Sequence, residues 1–294
     1  MLAKKKATSW FYILPAMMMI MTVVVFPIGY TGYISVTNMN LSHWYDFKII
    51  GLSNYIRALT KLDAGFLGAV VTTVIWTVVN MVLQVILSYL IALGLNHPGL
   101  KLGRLYKTLL MFPWAMPGYV SVLLWRVGMF NTEFGLINQM LTTLGFDKVN
   151  LLASNVPAFL SCTVLNLWLA MPFMIMMIDG ALQSVDRSYY ESARMDGAGF
   201  IRQNINITIP AIKPIIMPSI IMTTFTTFKQ FDIVYLLTRQ KGYYTGATFQ
   251  TIITYAHENA FVTNNYGLSS AISILIFIII VMISMVMNKG VDEE

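Results

Sequence analysis

The chain has 294 residues, of which 57% are apolar and only 11% charged, and its formal net charge is +6. An ordinary soluble domain is excluded by that balance, and a nucleic-acid binder is disfavoured, because a basic excess confined to clusters is explained by the topology of a polytopic membrane protein. The single cysteine, Cys162, excludes an internal disulfide framework and a cysteine-based metal site, and reads as a small buried residue.

The opening stretch MLAKKKATSWFYILPAMMMIMTVVVFPIGY has the basic lead-in of a signal peptide. Its apolar run is too long and lacks a small-residue cleavage site, so it reads as a retained first span. From Phe66 to Leu95 there is no charged residue, a run longer than the roughly 20 residues that cross a bilayer as a helix. An all-α integral membrane fold with six spans is predicted, at about Trp10–Ser35, Phe66–Leu95, Leu105–Met129, Pro157–Ile178, Ile215–Leu237 and Leu268–Met287. No internal repeat is evident, and residues 1–294 read as one membrane domain. With Lys4, Lys5 and Lys6 in the cytoplasm, Lys101, Arg104 and Lys107 fall on the same side. So do Arg187, Arg194, Arg202, Lys213 and Lys289, which puts both termini inside. The outer stretches DFKIIGLSNYIRAL and GATFQTIITYAHENAF mix aromatics with helical apolar spacing. They suit either a docking surface or simple packing over the bundle.

Residues 183–214, on the cytoplasmic side, are polar yet ordered. Asp186 can cap a helix through RSYYESARM, Gly197 between Asp196 and Ala198 permits a turn, and a second helical segment FIRQNINITI follows. Pro210 and Pro214 are expected to interrupt the ladder where the chain re-enters the membrane. Such a helix-turn-helix bracket suits a cleft on a partner protein, or else rests on the membrane surface.

Glu191-Ser192-Ala193, then Gly197, then nine residues and Ile207-Thr208-Ile209-Pro210 resembles the EAA loop, E-A-A-x3-G-x9-I-x-L-P, of ABC importer permeases. Asp196-Gly197-Ala198 as DGA resembles the carbohydrate, maltose-type branch, with Ser192 for the middle Ala and Ile209 for Leu. The first span, GLSNYIRAL, the stretch from NLWLAMPF to DGAG and the stretch from FDIVYLLT to ENAF extend the resemblance over nearly all the chain. Arg239-Gln240-Lys241 stands where the family has Gly-Gly-Pro.

The resemblance implies a type I ABC importer permease fold and a transport subunit, not an enzyme, in a bacterial-type inner membrane. It implies a homologous second permease, a dimer of ATPase subunits that carries ATP and Mg, and an extracytoplasmic solute-binding protein. The chain has no phosphate-binding G-x-x-x-x-G-K-[ST] loop, so it is expected to hold no cofactor and to leave hydrolysis to those partners. Glu191, Ser192, Ala193, Asp196, Gly197 and Ala198 are implied to couple to the ATPase, with Glu191 a polar anchor and Gly197 the elbow. Its surroundings are lipid and a carbohydrate, with no nucleic acid.

Polar residues inside spans point to a pathway. Thr223, Thr226, Thr227 and Gln230 recur at helical spacing and form one hydrogen-bonding stripe, while Trp168 and Phe173 offer flat faces for a sugar. Family resemblance assigns sugar contact to Leu169, Ala170 and Phe173 with that stripe; Phe173 stands where such permeases can have Tyr. A threonine in a span can instead bond back to its own helix. Lys229 and Asp232, three apart, are expected to pair, or else to border the cavity or touch the binding protein. Asp179 and Arg126 read as interfacial charges, and Asn80 and Gln84 as interhelical hydrogen bonds. His43, His97 and His257 form no metal spacing. An importer of glycerol phosphate or an amino acid is the alternative solute reading. A secondary transporter would need intramembrane carboxylates or duplicated halves, and a scaffold would not need the polar stripe.

Overall fold

The computed structural model describes residues 2–60, 65–97, 99–238 and 249–292. In chain order the helices are α1 (Leu2–Ile20), α2 (Phe26–Ser35), α3 (Ser53–Thr60), α4 (Gly65–Leu95), α5 (Gly103–Leu110), α6 (Phe112–Ala115), α7 (Gly118–Gly128), α8 (Leu136–Thr143), α9 (Asn155–Gln183), α10 (Arg187–Met195), α11 (Phe200–Gln203), α12 (Ile209–Phe228), α13 (Asp232–Thr238), α14 (Ile252–Phe261) and α15 (Tyr266–Asp292). Among the described residues there is no strand, only an isolated bridge between Thr37 and Ile49. Among the described residues five helical stretches are long and apolar enough to cross a membrane: Tyr12–Ser35, Gly65–Leu95, Asn155–Gln183, Phe200–Thr238 and Tyr266–Met287. A sixth span arises if Gly103–Ala115 and Gly118–Gly128, bent by 94°, are counted together.

That bend is where the expected straight span Leu105–Met129 departs from the structure. Pro117 cannot donate an amide hydrogen and pushes the residue before it out of the helical region, so Met116 is extended at φ −80° and ψ 141° and α7 restarts at Gly118. Pro27 and Pro210 are absorbed without a break by a widened turn. Each follows a π-helical turn, Met21–Val25 and Asn204–Thr208, whose closing amides reach five residues back, Phe26 to Met21 and Ile209 to Asn204. Widening the turn relieves the clash between a proline ring and the carbonyl four residues before it. The expected interruption at Pro210 and Pro214 is therefore absent. Pro214 and Pro218 lie inside α12, and the second arm of the bracket runs on as span five.

The chain divides into two compact units, Met1–Gly68 with Tyr255–Met282, and Ala69–Thr254 with Ile283–Glu294. In the first, buried Asn54 donates to the carbonyls of Ser35 and Thr37 at 2.9 and 2.7 Å, tying α3 to the end of α2. Gly267 lies so close to the Thr37 carbonyl that a Cβ there would sit 2.3 Å from it.

In the second unit α9 is central and packs on α6, α7, α12 and α13. One apolar cluster joins Trp76, Val122, Cys162, Leu165, Val234 and Leu237, and another joins Met81, Met174, Ile178, Ile212 and Ile216. Polar contacts stitch α4 to α9: Asn166 donates to Asn80 at 2.8 Å, and Gln84 to the Ala170 carbonyl at 3.0 Å. Each such bond contributes about 0.6–2 kcal/mol in a membrane.

Asp179, read as an interfacial charge near a span end, is buried within the protein and paired. It is 6% exposed and accepts from Lys107 at 2.7 Å, Asn96 at 2.7 Å and Gln183 at 2.8 Å, so three donors, from α5, α9 and the turn that ends α4, converge on one carboxylate. Arg126 is also buried and donates to the Leu236 carbonyl at 2.7 Å, which links α7 to α13. Asp179→Leu should destabilise the detergent-solubilised chain by about 1–3 kcal/mol, because Lys107 loses its anion. Adding Lys107→Met should recover most of that loss in thermal unfolding, whereas two independent surface charges would give additive losses.

Candidate functional site

The polar bracket is built by local capping. Asp186 accepts from the Ser188 amide at 2.9 Å and starts α10, and that amide holds the Asp186 carboxyl below its ordinary value. At the other end Gly197 adopts φ +76°, its amide reaches the Arg194 carbonyl at 3.0 Å, and the Ala198 amide reaches Ala193 at 2.8 Å. Those paired bonds form a Schellman closure, which a residue with a Cβ enters only under strain. No heavy atom lies within 4 Å of a Cβ built on Gly197, so backbone conformation, not space, selects glycine.

Of the residues assigned to coupling, Glu191, Ser192, Asp196 and Gly197 are exposed, and Ala193 and Ala198 are half-buried. Beside them lie exposed Met195, Phe200 and Ile201. The bracket therefore presents acidic and apolar groups together on an unoccupied face of this chain. Its second arm is fastened at the π turn: Tyr89 of α4 donates to Asn204 at 2.7 Å, and the Tyr190 and Thr208 hydroxyls lie 3.0 Å apart. Sequence periodicity gave no sign of these tyrosine contacts, because Tyr89 and Asn204 are 115 positions apart.

Apart from Gln230, which follows the end of α12, the residues assigned to solute contact lie on two helices that pack on each other, α9 and α12. Leu169, Ala170 and Phe173 are half-buried. The stripe on α12 divides: Thr223 and Thr227 are buried, Thr226 is exposed and Gln230 is intermediate. Trp76 donates to the Thr227 carbonyl at 3.2 Å, which seats that side of α12 against α4. Thr226 bonds back to the Thr223 carbonyl at 2.9 Å, so its hydroxyl proton is engaged by its own helix. Trp168 packs on Trp125 with ring centroids 5.3 Å apart, and is thereby drawn into the interior cluster.

Phe173 has a neighbour that the pattern did not supply. Trp114, at the elbow of the broken span, stacks on it with centroids 6.3 Å apart and planes at 19°. Its signal in the sequence is FPWAMPG, two prolines and a glycine inside an apolar run. Lys229 and Asp232 do not form the expected pair. α12 ends at Phe228 and α13 begins at Asp232, so the two residues are not on one helix, and among the described residues no ion pair joins them. The stretch Arg239-Gln240-Lys241 lies outside the described residues.

Residues 84–293 match the family described as binding-protein-dependent transport system inner membrane component. The chain is 31% identical over 281 residues to the trehalose/maltose transport system permease protein MalF of Thermococcus litoralis, a match covering 96% of this chain and 92% of that one. It is 29% identical to the maltodextrin transport system permease protein MdxF of Bacillus subtilis, over 98% of this chain and 69% of the other. Its fold matches that of a chain in a bacterial ABC transporter involved in the import of the acidic polysaccharide alginate, with TM-score 0.82, 19% identity, and 99% and 96% of the two chains covered.

Gly197→Ala should weaken the bracket by about 1 kcal/mol, so that limited trypsin cleavage at Arg194 and Arg202 is roughly fivefold faster. Gly199→Ala should leave cleavage unchanged, since Gly199 sits at φ −72° with nothing within 4 Å of an added Cβ.

Proposed function

The chain belongs to the binding-protein-dependent transport system inner membrane components, and we propose that it is one of two homologous permeases forming the pathway for a sugar or oligosaccharide in an ATP-driven importer. It is a multi-span membrane transport subunit of that family, and its whole length acts as one permease domain. Its cytoplasmic bracket docks on a pair of ATPase subunits that hold ATP and Mg, an extracytoplasmic binding protein delivers the solute, and both termini face the cytoplasm of a bacterial-type cell.

One observation carries the reading: the second arm of the bracket and the threonine stripe are parts of one helical rod. Residues 200–228 run as helix from just after the Gly197 closure through the π turn into the segment bearing Thr223, Thr226 and Thr227, and Gln230 follows in the break before α13. Movement imposed at Glu191 and its neighbours passes through the capped Gly197 closure into that arm, and from there the helix runs unbroken to the threonines, as alternating access by rocking helices requires. The names of the relatives favour a carbohydrate as the solute. In this mechanism Glu191 meets a basic group of the ATPase, Ser192 and Asp196 make polar contacts at its rim, and Ala193 and Ala198 allow close approach. Leu169, Ala170 and Phe173 supply apolar contact to the sugar ring, and Gln230 with the threonines supplies hydrogen bonds.

The test is ATP-dependent uptake of labelled maltose or trehalose by proteoliposomes holding both permeases, the ATPase pair and the binding protein. Glu191→Lys should lower uptake by more than about tenfold while the chain remains inserted, because a docked charge pair becomes a repulsion. Normal uptake with normal ATPase co-purification would remove the bracket from coupling. Uptake that persists without ATP but follows an ion gradient would point to a secondary transporter.

A further inference from the structure

The broken span is a costly feature in a membrane. Between Ala115 and Gly118 the backbone leaves the helix, and the two halves diverge by 94°. The elbow sits well inside the length of a spanning helix, because Trp114 stacks on Phe173, which lies roughly 15 Å along α9 from its Gln183 end at the usual helical rise. Irregular backbone at that depth is tolerated where it is buried in protein or lines a water-filled path, and not against lipid. Within this chain the elbow is not buried: Phe112, Trp114 and Tyr119 are 63%, 55% and 59% exposed.

The ring pair has the form of a binding surface. Trp114 and Phe173 are nearly parallel at 19°, and Leu169 and Ala170 lie on the preceding turn of α9. With Phe173 beneath it, Trp114 offers the outer face of its indole, and a flat aromatic face of that kind matches the apolar C–H face of a pyranose and leaves the sugar hydroxyls free for polar partners. The elbow is also held in place: Lys107 anchors the first half of the span to Asp179, one and a half turns beyond Phe173 on the same helix. Trp114 is therefore positioned from both sides, by an ion pair behind it and by Phe173 beneath it.

We propose that Trp114 is a solute-contacting residue, an aromatic platform at the elbow of the broken span on which a neutral sugar ring stacks during passage. The inference rests on the carbohydrate reading above.

The experiment uses the complete transporter in proteoliposomes, with labelled maltose, trehalose and glycerol 3-phosphate as probes. If the wild type imports neither sugar, the carbohydrate reading itself fails. If it imports either one, Trp114→Leu should lower sugar uptake about tenfold, the scale of one aromatic stacking contact. Trp114→Phe, which keeps a ring, should stay within about threefold of wild type. The ATP consumed per sugar imported should rise in Trp114→Leu. Unchanged uptake in Trp114→Leu would overturn the proposal, as would a parallel loss of uptake and hydrolysis that Phe does not restore, since that is the signature of a packing role. Should Trp114→Leu fail to assemble, the decision falls to the sugar-induced change in tryptophan fluorescence of the transporter. That change should be lost in Trp114→Phe, and its full retention there would also overturn the proposal.

Discussion

Inside a bilayer every backbone amide and carbonyl must find its partner within the protein, and the rest of this structure follows from how that demand is met. Long helices satisfy it directly, which is why the described residues hold helices and no strand. The informative places are those where the ladder is disturbed. At Pro27 and Pro210 a π turn keeps the helix continuous, and at Pro117 the helix stops and restarts. The same chemical defect, a missing amide hydrogen, thus has two outcomes. One preserves a rigid rod and the other creates an elbow, and the difference between them sets which parts of the chain move together.

Side-chain polarity follows the same rule. Asn80, Gln84 and Asn166 are buried, and each spends its amide on α4 or α9, fixing the register of the two helices. Asp179 is the most demanding case, a carboxylate in the interior that is acceptable only because three donors surround it. By collecting α4, α5 and α9 at one point, it fixes the base of the elbow close to where the bracket leaves α9. The end of the second unit's central helix is therefore braced close to where the bracket begins.

Legibility in the sequence tracked the range of the interaction. Spans could be read from length and apolarity, and the Asp186 cap and the Gly197 turn from residue chemistry within a few positions. The pairing of Asp179 was missed because its ion partner is Lys107, 72 positions earlier, and no local pattern distinguishes a paired, buried carboxylate from a solvated one. The proline stop at Pro210 was misjudged for another reason: a π turn leaves no periodic trace, since it adds one residue to a single turn. Lys229 and Asp232 had the spacing of a helical pair, but spacing has meaning only if one helix contains both, and the chain breaks at residues 229–231. The elbow was readable in principle, because FPWAMPG places two prolines around a tryptophan, but length alone carried the span across it.

The division of the threonine stripe bears on how a pathway on this scaffold would select its solute. With Thr226 donating to its own helix and Thr223 and Thr227 buried, few hydroxyl protons remain to point outward from α12. Acceptor lone pairs remain on Thr226, and Gln230 keeps both an acceptor and donors at the frayed end of the helix. A surface of that kind holds a polar solute loosely. Its apolar counterpart on α9 is broader and better fixed, since Phe173 is backed by the helix core and flanked by a stacked ring. Affinity from flat apolar contact depends little on which hydroxyl is axial, whereas directed hydrogen bonds depend on it strongly. A pathway weighted toward the first passes a class of sugars and leaves fine discrimination to whatever protein delivers them.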